Sequence, residues 1–119
     1  MKKNIFILLL VLAPSLKTLA QNKVDKFCTV RLRTMAFDSK KVRTEISTGE
    51  EKSLFNFKDT TYYQKLKLVN SFITESDVLN YMSKLGWSIT FINYHSGSGL
   101  KDLYFKKTFD EAELVEDKN

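Results

Sequence analysis

TESDVLNYMSKLGWSITFINY, residues 74–94, decides the fold. Thr74-Glu75-Ser76-Asp77 is a capping-box pattern with Asp in place of the more usual Glu. The Thr74 hydroxyl suits an orphan amide at a helix start, and Glu75 and Asp77 suit the positive end of the helix dipole. Val78, Leu79, Met82 and Leu85 then fall on one helical face. Lys84 sits in the last turn, where a cation is favoured, and Gly86 is placed to end the helix. Trp87 opens an alternating run at once. Trp87, Ile89 and Phe91 form one face, and Ser88, Thr90 and Ile92 form the other. A helix that passes directly into a strand sets an α+β plan.

The pattern continues on both sides. His95 to Lys101 (HSGSGLK) is a glycine-rich loop, and Asp102 to Phe109 returns as a strand, giving a long-looped hairpin. Upstream, Cys28, Val30, Leu32, Thr34 and Ala36 alternate with Thr29, Arg31 and Arg33, the pattern of a half-buried strand over 27–36. Asp38-Ser39-Lys40 is turn chemistry, and Lys41 to Ser47 alternates again through Val42, Thr44 and Ile46. Pairing 37 with 41 sets Ala36 against Val42, Leu32 against Ile46, and Arg33 against Glu45, a favourable cross-strand pair. A one-residue slip would turn one strand inside out, so only alternate registers fit. Ser53 to Phe57 reads as a further short strand. Tyr63 to Phe72, with Leu66, Leu68 and Phe72 at even spacing, reads as extended, with a helix as the alternative.

One amphipathic helix covers one face of a sheet. The expected fold is therefore α+β: an antiparallel sheet of four to six strands with one main helix packed on one face. The other face is wet or meets a partner. Nine Phe and five Tyr are many for this length, and only Phe6 lies in the leader described next. Some of these aromatics are expected on the second face.

The first twenty residues read as a cleavable signal peptide. Lys2 and Lys3 form a positive start, and Ile5 to Ala13 is a nine-residue apolar run. Pro14 and Ser15 break it, and Thr18-Leu19-Ala20 supplies small residues for cleavage. A spanning helix needs roughly 20 apolar residues, so stable membrane insertion after cleavage is not expected. Residues 21–26 read as a flexible linker, 27–109 as a single domain, and 110–119 as an acidic tail. The expected location is the periplasm or the medium.

The whole chain holds 19 Lys and Arg against 14 Asp and Glu, a net charge of +5. Lys2, Lys3 and Lys17 belong to the leader, so the processed chain falls to +2. That is a weak electrostatic footprint, and no nucleic-acid partner is expected. The only cysteine, Cys28, cannot form an intramolecular disulfide and reads as a buried small hydrophobe. His95 with Ser96, Ser98 and Asp102 has the residue types of a nucleophile–base–acid set, but neighbours in one loop rarely give the geometry. One His and one Cys are too few for zinc. The paired acids at Glu50-Glu51 and at Glu75 with Asp77 read as a solvated turn and a helix start rather than a glycosidase pair. No catalytic residue, metal or cofactor is expected.

Val78-Leu79-Asn80-Tyr81-Met82, Leu85-Gly86-Trp87 and the closing Tyr104-Phe105-Lys106-Lys107 carry a resemblance. In these stretches the chain resembles a group of small exported proteins of unknown function from Bacteroides-type bacteria. The resemblance implies a fold, with a helix–Gly-Trp–strand–strand ending, and a compartment. It brings no activity and no site residue.

The reading is thus an exported, non-enzymatic binding or assembly module, acting through an uncovered sheet face or an edge strand. Its partner would be a second copy (a homodimer) or an envelope protein. Arg31, Arg33, Arg43, Tyr94 and His95 are the candidate binding residues; Thr74, Asp77, Gly86 and Trp87 are structural. The alternatives are a small enzyme or enzyme inhibitor using the 95–102 loop, and a small-ligand carrier lined by Trp87, Tyr81 and Phe residues.

Overall fold

The structure, a computed structural model, describes residues 22–115. The leader, its cleavage site and the last four residues of the tail lie outside the described residues. Four strands form one antiparallel sheet: β1 (Lys23–Met35), β2 (Asp38–Ser47), β3 (Ser88–His95) and β4 (Leu100–Asp110), in the order β2-β1-β4-β3. Two short helices, α1 (Tyr62–Lys67) and α2 (Glu75–Lys84), belong to the connection between β2 and β3, along with 3-10 turns at Lys52–Phe55 and Leu68–Ser71. A last 3-10 turn, Glu111–Glu113, follows β4. The α+β class and the antiparallel sheet are as the sequence implies.

The core lies between the helices and one sheet face. Val30, Leu32, Leu103 and Phe105 of the two central strands meet Leu66, Val69, Val78 and Met82. Its far end is aromatic: Phe57 lies 4.7 Å from Tyr62 and 4.8 Å from Phe109, and Trp87 lies 5.9 Å from Phe109. The Trp87 indole N–H donates to the Tyr62 hydroxyl at 2.9 Å, so the buried tryptophan is satisfied.

Helix α2 has the expected caps. Thr74 is its N-cap, and its side chain accepts from the Asp77 amide at 3.3 Å. At the other end Gly86 adopts φ +91°. Its amide bonds Ser83 O and the Trp87 amide bonds Met82 O, each at 2.9 Å, the paired closure of a Schellman motif. Lys107 Nζ donates to Leu85 O at 2.6 Å and adds a cation to the negative end of the helix.

Four local expectations are corrected. The 63–72 segment is helical, not extended. Tyr62, Leu66 and Val69 fall at i, i+4 and i+7 and turn inward together, while Leu68 is left exposed. The 53–57 segment is no strand of the sheet. It coils as a 3-10 turn, and Phe57 makes a lone bridge to Leu114 while its ring enters the aromatic cluster. The hairpin register is shifted by two: Val30 faces Ile46, Arg31 faces Glu45, and Arg33 faces Arg43 rather than Glu45. The chain reverses at Ala36-Phe37, because Ser39–Lys41 bulge out of β2 between the Thr34/Val42 and Met35/Asp38 pairs. Finally, the sheet claims residues read as linker and tail. β1 begins at Lys23, which pairs with Asp110, and Leu114 is buried.

Both edges of the sheet differ from its centre. β2 is covered: the Val42 amide donates to Ile73 O and the Ile46 amide to Asn70 Oδ1, each at 2.8 Å. Thr44 Oγ1 donates to Phe72 O at 2.8 Å and so meets its own burial. β3 has β4 on one side and no covering segment among the described residues on the other.

Candidate binding face

The face of the sheet away from the helices is open, and strand register arranges it in rows. Arg43, Arg33, Leu100 and His95 form one row; Glu45, Arg31, Asp102 and Asn93 the next; Ser47, Thr29, Tyr104 and Phe91 the third. The face passes from basic through ion-paired to aromatic. Alternation along β1 and β4 puts these side chains opposite Val30, Leu32, Leu103 and Phe105, which take the core side.

Phe91 reaches this face through a defect in β3. Alternation from Trp87 would send it into the core. The register shifts between Ile89 and Phe91, so Thr90 is an extra residue. Its Oγ1 donates to Tyr104 O at 3.1 Å and fixes the bulge. Phe91 then lies 5.8 Å from Tyr104 across the strands, while Ile92 turns to the core side beside Leu103. Phe27, also exposed, extends the aromatic patch.

Asp102 is the centre of the middle row, only 4% exposed. Arg31 grips it with two bonds, Nε to Oδ1 at 2.8 Å and Nη2 to Oδ2 at 3.1 Å. His95 Nε2 lies 2.8 Å from Oδ2. The Arg31 hydrogen bonds, joined by that of His95, outweigh burial and hold the Asp102 carboxyl down at about 2. The same carboxylate raises the affinity of the Arg31 guanidinium for its proton. A buried carboxylate held on both oxygens is a rigid fixture.

A groove of about 430 Å³ runs along the aromatic row, lined by Phe27, Thr29, Ser47, Phe91 and Tyr104 among others. A hollow of about 340 Å³ beside Arg31, Glu45 and Asp102 shares Thr29, Ser47 and Tyr104 with it. The two form one shallow trough. It offers apolar faces at one end and hydroxyl, carboxylate and guanidinium groups at the other.

Four of the five residues singled out from sequence, Arg31, Arg33, Arg43 and His95, meet on this face. Tyr94 does not. It pairs with Lys101 on the other side of the sheet, where Lys101 Nζ lies 4.9 Å from its ring centre and bonds both Glu75 oxygens at 3.0 Å. Lys65 and Lys67, in the 63–72 segment read as extended, are on α1. Phe27, Phe91 and Tyr104 were not assigned from sequence. The excess of aromatics pointed to them, but not to which ones.

His95 and Asp102 do come together, although His95 ends a strand rather than waving in a loop. The loop's Ser98 hydroxyl, however, donates to the His95 backbone oxygen at 2.9 Å. Among the described residues no hydroxyl is bonded to the imidazole. Cys28 is buried, and burial pushes its thiol up to about 12. Among the described residues no three His, Cys, Asp or Glu side chains gather as a metal site, and no helix is long and apolar enough to cross a membrane.

Comparison with protein-family models, with curated proteins and with solved structures finds no match for this chain. The class is set by the fold: an α+β protein with one antiparallel sheet, helices on one face and a built surface on the other.

Proposed function

We propose that this chain is a small exported, non-enzymatic binding module that takes its partner on the open face of the sheet. One observation carries the reading. The uncovered face is not uniformly polar: it sets Phe27, Phe91 and Tyr104 against a pinned Arg31–Asp102–His95 cluster, along one trough. A wet face with no partner has no use for exposed aromatics in a row. Aromatic and Arg anchors around a desolvated centre are what interfaces use. Asp102 has both oxygens engaged, so the cluster positions Arg31 rather than activating a nucleophile. The partner is a second copy or an envelope protein. The leader and the likeness to small exported proteins from Bacteroides-type bacteria support the compartment.

The first test is intact mass after fractionation. A mass matching residues 21–119 in periplasm or medium is expected, and an unprocessed chain in the cytosol overturns the export reading. The second uses light scattering and photo-cross-linking from position 91 in intact cells. A dimer, or a discrete adduct with one envelope protein, lost in the Tyr104→Ser variant, supports the open face. A strict monomer that cross-links to nothing removes the reading.

A further inference from the structure

The turn between β1 and β2 is a second surface, apart from the trough. Its tip is apolar and bare. Phe37 is fully exposed, Met35 is 46% exposed, and Ala36 between them is exposed too. The last β1–β4 rung is Arg33 with Leu100, the Thr34 amide still donates to Gly99 O at 2.9 Å, and Met35, Ala36 and Phe37 follow beyond that bond. Arg33, Lys40, Lys41 and Arg43 flank it, with Asp38 as the one acid between them. The Asp38 carboxylate accepts from the Lys40 amide at 3.0 Å. Among the described residues none of the four cations has an acid partner. Arg33 and Arg43 even face each other directly, an arrangement that costs a sheet stability. The nearest helix-borne acid, Glu75, is taken by Lys101.

A bare aromatic ringed by unpaired cations calls for a surface that is apolar below and anionic above. A bilayer interface has that layering. The hollow of about 390 Å³ at the base of the turn, lined by Thr34, Ser39, Lys40 and Glu75 among others, does not include Met35, Ala36 or Phe37, and the turn's charge is complementary to anionic headgroups. We propose that the β1–β2 turn docks reversibly on a bilayer surface rich in anionic lipid. Phe37 and Met35 enter the interface, and Arg33, Lys40, Lys41 and Arg43 meet the headgroup phosphates. This contact is peripheral and needs no inserted helix. It stands whether or not the open face finds its partner.

The test is co-sedimentation of residues 21–119 with vesicles. The described fold lies wholly within this span, and leaving out residues 1–20 removes their own apolar run. The chain is expected to pellet with vesicles of phosphatidylcholine mixed with phosphatidylglycerol and to stay in solution with phosphatidylcholine alone. Phe37→Ser should weaken binding about tenfold. Lys40→Glu with Lys41→Glu should weaken it by roughly fivefold per charge or more. These sites are exposed, so thermal unfolding of both variants should match the parent. Tyr104→Ser should bind vesicles unchanged, which separates this contact from the trough. No pelleting with mixed vesicles overturns the proposal. So does binding that the charge reversals abolish and Phe37→Ser leaves intact, which would show charge adsorption with no entry of the apolar tip into the interface.

Discussion

Asp102 keeps its charge where water scarcely reaches it. Its folded carboxyl sits at about 2, against an ordinary 3.8. A depressed folded value means that the ionised form favours the folded chain. The stabilisation is therefore full above about pH 4 and is lost as pH falls through about 2. Its size is roughly 2 kcal/mol. Asp102→Asn should lose about that much in urea unfolding at pH 7, and the gap between variant and parent should close between about pH 4 and 2. A gap that stays constant over that range would show that the ion pair is not its source. Cys28 gives a second residue-scale prediction. A thiol pushed up to about 12 by burial should resist a disulfide-exchange reagent in the native protein and react once the chain unfolds. Prompt labelling without denaturant would show that the core around β1 opens.

The two ends of helix α2 were legible because their cause is local. Thr74 needs only the amide of Asp77, and Gly86 only the carbonyl of Ser83. Thr74→Ala should cost about 1 kcal/mol in thermal or urea unfolding. Gly86→Ala should cost more, roughly 1–2 kcal/mol for the left-handed backbone alone. The added Cβ also meets Lys107 Cε at 3.1 Å, so the cation that caps Leu85 must shift. Equal losses for the two variants would count against that crowding. Helix α1 is only the alternative reading of 63–72 because its stripe starts at Tyr62, and Leu66 and Leu68 mimic a strand until Val69 is counted. The candidate face was half legible for the same kind of reason. Alternation places Arg31, Arg33 and Arg43 outward in any allowed register. Only the observed one sets Arg31 beside Glu45 and leaves Arg33 against Arg43. Phe91 changed faces through the Thr90 bulge, which a period of two cannot anticipate. His95 and Asp102 were noticed together, but Arg31 comes from 71 residues away, and no local pattern links them.

At the scale of the molecule, the helices shield one face and leave the other unshielded. Tyr104 and Phe91 contribute little to the core, being 38% and 61% exposed. Replacing either by Ser removes their cross-strand pair and should cost about 1 kcal/mol or less. It should still abolish the proposed contact, a split that unfolding and cross-linking together would detect. A large stability loss would mean that the trough is packed rather than open. The strand order has a consequence in time as well as space. β1 precedes β4 by the whole of the intervening fold, and Lys23 meets Asp110 across 87 positions. The middle of the sheet cannot close until the final strand arrives, so most of the chain waits unfolded, and pairing over such a separation is slow. For a polypeptide proposed to thread through a translocation pore, that delay keeps it threadable. A chain cut short before Leu100 would leave β1 without its main partner and should be cleared by proteolysis rather than accumulate.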